Sequence, residues 1–258
     1  NGNQQTSLTI LGCSSGDPQP GRATSGYLVQ TGESLSLLDC GSGIVASFLK
    51  HGFDPLKLDR IFISHAHSDH LADLTLMIQK IYLTRRANPL TVYLPQELLE
   101  PFRGWLRTVY LFTEKFSFEL KTVGYTDGMV YVGDFHLNAI ANSHLAPAKE
   151  TILELGLANR MQCFSFSLDF GDNRLLYSAD LGSFDDISRE IDSHSHLIVE
   201  STHIDLDEFF ATAARFPATQ FVLTHLGTEK AIAFLQQRIE AGGSANIRLA
   251  AEGMRIPL

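Results

Sequence analysis

The sequence is poor in cysteine and in basic residues, and it contains no long uninterrupted apolar run. Only three of the 258 residues are cysteines, which excludes a disulfide framework, and their spacing lacks the paired C-x-x-C pattern of structural zinc. No apolar run approaches the roughly 20 residues that a membrane-spanning helix requires. Lysine and arginine total 20 against 29 acidic residues. The resulting net charge of -9 argues against a broad nucleic-acid-binding surface.

The hydrophobic content is sufficient for one sizeable folded domain. Hydrophobic residues make up 44% of the chain and charged residues 19%, and no block of like charges indicates a long disordered tail. A chain of this length and composition can bury one core, so we expect residues 1–258 to form a single α/β domain. Because no membrane segment is recognisable, a cytoplasmic location is the default expectation.

Hydrophobic periodicity and turn residues predict strands and helices along the whole chain. The predicted strands span residues 7–11, 26–30, 35–39, 60–64, 90–94, 163–170, 174–178, 196–200 and 220–224, with further strand signals over 115–141. The predicted helices span residues 44–50, 71–84, 96–110, 206–216 and 229–240, and residues 151–160 are either one helix or a loop over a cleft. Strand clusters followed by helices in each half predict two packed sheets with helices outside.

The most informative residues follow the predicted strand at 60–64, where the sequence reads His65-Ala66-His67-Ser68-Asp69-His70. His65 and His67 point to the same side of an extended segment because side chains alternate. Asp69 and His70 then lie at the start of the next helix. Imidazole and carboxylate groups are the ligands that a borderline-soft divalent ion takes at a hydrolytic site. The alternative, an exposed histidine-rich loop, is disfavoured because the pattern is dense and directly follows a strand.

Three more candidate ligands follow other predicted strands. His144 ends the run Asn142-Ser143-His144, Asp180 follows the hairpin arm at 174–178, and His225 follows the strand at 220–224. Loops at strand ends gather around sites that a rigid scaffold supports. Each residue is a weak candidate by itself, but together they continue the histidine pattern and are predicted metal ligands.

With these residues in place, the chain resembles the metallo-β-lactamase superfamily over essentially its whole length. The pattern H-x-H-x-D-H at His65 to His70 is the hallmark of that superfamily, and the three later candidates follow in its order and spacing. The resemblance implies a four-layer αββα sandwich and two divalent metal ions, first of all zinc, with manganese or iron as alternatives. It implies that one metal is held by His65, His67 and His144 and the other by Asp69, His70 and His225, with Asp180 bridging both.

Within the superfamily, the chain is most similar to the tRNase Z-like phosphodiesterase branch, as residues 11–16, 22–25 and 39–43 show. In such proteins the residue matching Asp39 supports the metal loop, although a turn-forming Asp before Gly41 is an equally good interpretation. Two departures disfavour tRNA 3′ processing. The segment Val199-Glu200-Ser201-Thr202 replaces a His-Glu-Ala-Thr motif, and no long Gly/Pro-rich arm is recognisable. A histidine directly after that segment, here His203, makes the chain more similar to the related cyclic phosphodiesterases that act on small ribose phosphates.

The expected reaction is hydrolysis of a small or cyclic phosphodiester by a metal-bridging hydroxide. Asp69 is expected to orient the hydroxide or to accept its proton. His203, assisted by Glu200, is expected to protonate the leaving alkoxide; alternatively, His203 is a surface histidine that flanks a helix.

Other functions use the same ligands or the same fold. A carbonyl hydrolase, such as a lactonase, thioesterase or glyoxalase II-type enzyme, would need the same metal set. A non-catalytic metal protein is disfavoured by the intact ligand set, and a diiron redox enzyme by the lack of room for a flavin domain. The expected partner is therefore a small-molecule phosphodiester rather than nucleic acid or a membrane, and the resemblance also allows a homodimer.

Overall fold

The computed structural model describes residues 6–258. Its strands are β1 (Ser7–Gly12), β2 (Gly26–Thr31), β3 (Ser34–Leu38), β4 (Leu58–Phe62), β5 (Leu90–Pro95), β6 (Leu120–Tyr125), β7 (Gly128–Val132), β8 (His136–Ala141), β9 (Phe164–Asp169), β10 (Arg174–Tyr177), β11 (His196–Glu200), β12 (Gln220–Thr224), β13 (Ile247–Leu249) and β14 (Arg255–Pro257). Its α-helices are α1 (Ile44–Lys50), α2 (Ser68–Leu71), α3 (Leu74–Leu83), α4 (Leu99–Thr108), α5 (Lys149–Leu155), α6 (Leu206–Arg215) and α7 (Glu229–Gly242).

The first of two compact units contains the described residues up to Tyr125 together with Ala251–Leu258. Its sheet has the strand order β14-β1-β2-β3-β4-β5-β6. Strands β14 to β3 pair antiparallel, and β3 to β6 pair parallel. Helices α1, α3 and α4 supply the crossover connections that parallel neighbours require. The loops after β3 and β4 therefore lie side by side at one edge of this sheet.

The second unit spans Thr126–Ala250. Its sheet has the strand order β13-β12-β11-β10-β9-β8-β7, in which β10 to β13 pair parallel and β7 to β10 pair antiparallel. Strand β8 thus runs in the same direction as β10, β11 and β12. The loops after these four strands consequently meet at one edge of the second sheet. The expectation of a single domain over residues 1–258 stays a prediction.

Each unit has its own apolar core. In the first unit, Ile44 and Phe48 of α1, and Met77 and Ile81 of α3, are fully buried among strand residues such as Leu37. In the second unit, Phe209 of α6 packs edge-on against Phe184 and Phe221, with ring centroids 5.8 and 5.6 Å apart. Aromatic pairs of this geometry stabilise a core beyond the area that they bury.

The helix predicted over residues 71–84 is wrong in its extent, because the structure divides this region into α2 and α3. Asp73 interrupts the helix: its backbone N–H donates to Cys40 O at 3.0 Å and its carboxylate accepts from Val45 N at 3.0 Å. A helical backbone bond is thereby exchanged for contacts with distant residues. The helix predicted over 96–110 begins instead with a 3-10 turn, Gln96–Leu98, which precedes α4.

The region that the sequence left open, residues 151–160, is helical only in its first half. Helix α5 ends at Gly156, whose left-handed φ of 62° stops the helix. No residue of α5 is buried. The β9–β10 hairpin is confirmed, with Arg174 opposite Asp169.

The structure agrees with the sequence on the three cysteines and on the lack of a recognisable membrane-spanning helix in the described residues. Cys13, Cys40 and Cys163 are buried thiols that form no disulfide, and burial raises the pKa of Cys13 to about 11. In the described part of the chain, every helix falls short of the length and hydrophobicity that a membrane span requires.

Candidate metal centre

In the first unit, the histidine pattern forms a compact cluster directly after β4. The rings of His67 and His70 lie 4.8 and 4.2 Å from the ring of His65, measured between centroids. His65 and His70 are fully buried, whereas His67 is exposed. Asp69 Oδ2 lies 3.4 Å from His70 Nε2. The four predicted ligands from this pattern therefore lie together at one sheet edge.

Asp39 organises this cluster from the end of β3. It is fully buried and adopts a left-handed φ of 58°, which is uncommon for any residue other than glycine but is tolerated by Asp. Its carboxylate accepts hydrogen bonds from Ser64 N at 2.7 Å, Ser64 Oγ at 2.8 Å and His70 Nδ1 at 2.7 Å. Of the two interpretations of Asp39, support of the metal loop is the one that these contacts favour.

The same contacts select the tautomers of two histidines. Because a carboxylate only accepts, His70 Nδ1 must carry a proton, which in the neutral ring leaves the lone pair on Nε2. The Ser64 hydroxyl uses its single proton on Asp39, so it accepts from His65 Nδ1 at 3.0 Å. The lone pair of His65 is thus also on Nε2. A carboxylate that orients imidazoles in this way is a common feature of metal-ligating histidines.

Residues of the N-terminal segments hold the backbone of Asp69. Its carbonyl oxygen accepts from Thr24 Oγ1 at 2.7 Å and from Ser25 N at 3.1 Å. Gly41 leaves the space for this carbonyl, since a Cβ there would lie 1.9 Å from Asp69 O. The segments 22–25 and 39–43, noted in the sequence, therefore act as the support of the histidine loop.

In the second unit, three predicted ligands meet at the sheet edge where β8, β10 and β12 end. His144 Nε2 lies 3.6 Å from Asp180 Oδ2, and His225 Nε2 lies 3.3 Å from Asp180 Oδ1. Ala179 and His225 have left-handed φ values of 50° and 55°. Such backbone strain in non-glycine residues is concentrated at functional sites.

These two histidines have the same tautomer as those in the first unit. His144 Nδ1 donates to Leu181 O at 3.3 Å. The Thr202 hydroxyl donates to His225 O at 2.8 Å, so it accepts from His225 Nδ1 at 3.2 Å. In the neutral form of each ring, a lone pair on Nε2 therefore faces a carboxylate oxygen of Asp180. Two acceptors that face each other repel unless a proton or a metal cation lies between them.

The distances within each unit fit a shared cation. A tetrahedral ion with bonds of about 2.0–2.2 Å places two of its ligand atoms roughly 3.3–3.6 Å apart. The three histidine–carboxylate pairs, at 3.3, 3.4 and 3.6 Å, agree with this value. The donor set of imidazole nitrogen and carboxylate oxygen also suits zinc, and it is able to bind manganese or iron as well. The clusters are therefore able to bind metal.

Glu200 and His203 form a second pair beside the ligands of the second unit. Glu200 is buried, and its carboxylate accepts from Thr202 N at 2.5 Å, His203 N at 2.9 Å and His203 Nδ1 at 3.1 Å. The His203 ring lies 4.8 Å from that of His144 and 5.6 Å from that of His225. The side chain of His203 is 37% exposed, so the ring is accessible to solvent. The donor atoms of Glu200, His203 and His225 are also close enough to hold an ion.

Two polar residues of the second unit lie at this site although no role was predicted for either of them from the sequence. Thr202 sets the tautomer of His225, as described above. Asp186 binds the loops that carry His144 and Asp180, and the pattern Ser183-x-x-Asp186, which is a capping-box signature, is a sequence signal for it. Of the histidines outside the pattern, His194 is buried and its Nδ1 donates to Glu190 O at 2.6 Å, as expected of a structural residue.

Comparison with known proteins relates this geometry to characterised folds. The family described as "Anti-Pycsar protein Apyc1" matches residues 6–214. A curated relative, "Probable metallo-hydrolase YhfI" of Bacillus subtilis (strain 168), is 27% identical over 206 residues, which cover 78% of this chain and 74% of the relative.

Solved structures agree in fold over nearly the whole chain. The crystal structure of the metallo-β-lactamase fold protein YhfI has a TM-score of 0.77 and 23% identity, and covers 98% of this chain and 100% of that chain. Human tRNase Z, short form, has a TM-score of 0.69 and 20% identity, with 97% and 98% covered. A diphosphatase from the PhnP family has a TM-score of 0.73 and 14% identity, with 98% of each chain covered. The predicted metallo-β-lactamase fold and the tRNase Z-like relationship are confirmed.

Proposed function

Since this chain belongs to the family of anti-Pycsar protein Apyc1 and is a metal-dependent hydrolase of the metallo-β-lactamase fold, we propose that it cleaves a small or cyclic phosphodiester with two divalent metal ions. The observation that carries this proposal is the common tautomer of four histidines. His65, His70, His144 and His225 each donate from Nδ1 to the protein and keep a lone pair on Nε2. That arrangement leaves Nε2 available to a metal ion, as is common for metal-ligating histidines, and it is not required of structural histidines.

The seven residues predicted from the sequence remain our proposed ligands. His65, His67 and His144 would hold one ion, Asp69, His70 and His225 the other, and Asp180 would bridge both. When bound, the two ions lower the pKa of the water that they hold and stabilise charge on the phosphoryl oxygens. Zinc is the proposed metal, because nitrogen donors predominate in the set.

The residues of the chain supply the proton transfers. Asp69, half-buried next to His70, is proposed to orient the attacking oxygen and to accept its proton. His203 is proposed to donate a proton from Nε2 to the leaving alkoxide, and its Nδ1 bond to the buried Glu200 holds the ring in place and stabilises its protonated form. A leaving ribose hydroxyl needs this proton, whereas a nitrophenolate leaves without it.

A small substrate is favoured over RNA by two features of the chain. The β9–β10 hairpin turns within residues 170–173, so no long arm is inserted there. The net charge of -9 opposes binding of a long polyanion. A carbonyl hydrolase with the same ligands is the rival function, and substrate tests separate the two.

The test uses zinc-loaded protein with bis(p-nitrophenyl) phosphate, a panel of 2′,3′- and 3′,5′-cyclic nucleoside monophosphates, a p-nitrophenyl ester, a lactone and a β-lactam. Asp180→Ala should abolish phosphodiester turnover. His203→Ala should lower the rate on the cyclic nucleotide by about 10²–10⁴-fold and the rate on the nitrophenyl diester far less. His136→Ala, at an exposed histidine of β8, serves as the control. Cleavage of the ester or lactone without any diester turnover would establish the carbonyl-hydrolase function instead.

A further inference from the structure

Asp186 accepts hydrogen bonds from two loops of the second unit that each carry a proposed metal ligand. From the loop after β8, Ser143 N donates to Oδ2 at 3.1 Å, and Ser143 Oγ lies 3.0 and 2.9 Å from the two carboxylate oxygens. From the loop after β10, Gly182 N and Ser183 N donate to Oδ2 at 2.9 and 3.3 Å. Ser143 directly precedes His144, and Gly182 follows Asp180 by two residues.

The two loops are in close contact at this point. A Cβ at Gly182 would lie 2.1 Å from Ser143 Oγ and 2.7 Å from the Ser143 carbonyl carbon, so only glycine allows this approach. His144 Nδ1 adds a further link through its bond to Leu181 O at 3.3 Å. The separation between His144 Nε2 and Asp180 Oδ2, which is 3.6 Å, therefore depends on how the two loops are joined.

The residue that joins them is itself anchored in the core. Asp186 ends the 3-10 turn Phe184–Asp186, which Ser183 caps. Phe184 and Ile187, on either side of the carboxylate, are buried, and Phe184 packs on Phe209 of α6. The carboxylate is therefore held on a rigid platform, as a group that positions other residues must be.

We propose that Asp186 is a positioning residue that fixes His144 at metal-binding distance from Asp180. This inference rests on the proposed function only in that both residues are metal ligands. It concerns metal affinity and not the identity of the substrate. Residues that orient metal ligands change metal affinity by about 10–100-fold when they are removed.

The experiment measures zinc stoichiometry and affinity by competition with a chromogenic chelator. Asp186→Ala should weaken the affinity at least tenfold, whereas Asp185→Ala, at the exposed neighbour in the same turn, should leave it unchanged. Asp186→Asn should retain most of the affinity, because its carbonyl oxygen can replace Oδ2 and its amide can donate to Ser143 Oγ. Ser143→Ala combined with Asp186→Ala should lose no more than Asp186→Ala alone, since both act through one contact.

A readout without metal accompanies the binding data. In the metal-free protein, hydrogen exchange at the amides of Ser143 and Gly182 should be faster in Asp186→Ala than in the wild type. A lower Tm of Asp186→Ala with unchanged zinc affinity, or an equal affinity loss in Asp186→Asn and Asp186→Ala, would overturn the proposal. If the wild type binds zinc and shows this dependence but cleaves no phosphodiester, the proposed function fails and the positioning role stands.

Discussion

Replacement of Asp39 by asparagine should impair metal binding without otherwise changing the fold of the first unit. Asn is nearly isosteric with Asp and tolerates the left-handed φ of 58° at this position. In the wild type, Oδ1 accepts from Ser64 N at 2.7 Å, while Oδ2 accepts from Ser64 Oγ at 2.8 Å and from His70 Nδ1 at 2.7 Å. With the Asn oxygen retained by the Ser64 amide, the Asn NH₂ group would replace Oδ2. It would then donate to His70 Nδ1.

The consequence is a change of tautomer at His70. If Nδ1 accepts, the proton of the neutral ring lies on Nε2, and the nitrogen proposed to bind metal loses its lone pair. Loss of such an orienting carboxylate costs about 10–100-fold in metal affinity, which corresponds to about 1.4–2.7 kcal/mol. We expect the loss of zinc affinity to lie near the upper end of this range, because Ser64 Oγ also loses Oδ2, the acceptor that orients the hydroxyl toward His65.

Zinc affinity by chelator competition is the assay, together with the ring ¹⁵N chemical shifts of His70 in the metal-free protein. Asp205→Asn is a matched control, because Asp205 caps α6 by accepting from Asp207 N and Glu208 N and Asn caps a helix equally well. Zinc affinity of Asp39→Asn within twofold of the wild type would refute the reasoning, as would a His70 ring that still carries its proton on Nδ1.

Three further predictions concern the supports of the fold. Gly41→Ala places a Cβ 1.9 Å from the carbonyl oxygen of Asp69 in the histidine loop, and it should lower zinc affinity and turnover at least tenfold. Gly104→Ala in α4, where the space is open, is the control and should change neither. Arg86 is buried and donates to Leu58 O, Pro89 O and Asp59 Oδ1. Arg86→Met would remove the donor of these acceptors and should lower the free energy of unfolding by about 1–3 kcal/mol in urea denaturation. The exposed Arg103→Met should lower it by less than about 1 kcal/mol. Burial lowers the pKa of His194 below its usual value, so its contribution to stability is present above pH about 6.5 and is lost as the pH falls toward the lowered pKa. His194→Gln should therefore flatten the decline in stability between neutral and acidic pH, and an unchanged slope would contradict this assignment.

The sequence alone was sufficient to predict the metallo-β-lactamase fold and to select the candidate ligands. The pattern His65 to His70 is local and dense, so no tertiary information is needed to recognise it. His144, Asp180 and His225 could be selected because each follows a strand whose apolar run is visible in the sequence. Periodicity also located most helices and strands, since burial of one face determines the spacing of apolar residues.

Other features depended on contacts between distant residues, which periodicity does not contain. Asp39 was equally consistent with a turn, and its role follows from bonds to residues 25 and 31 positions away. The interruption between α2 and α3 arises because Asp73 bonds to Cys40 and Val45, outside its own helix. The tautomer of each proposed ligand depends on whether its Nδ1 partner donates or accepts, which only the folded chain determines. Hydrogen-bond partners are selected by proximity in space, and for these residues proximity arises only when the strands have assembled into sheets.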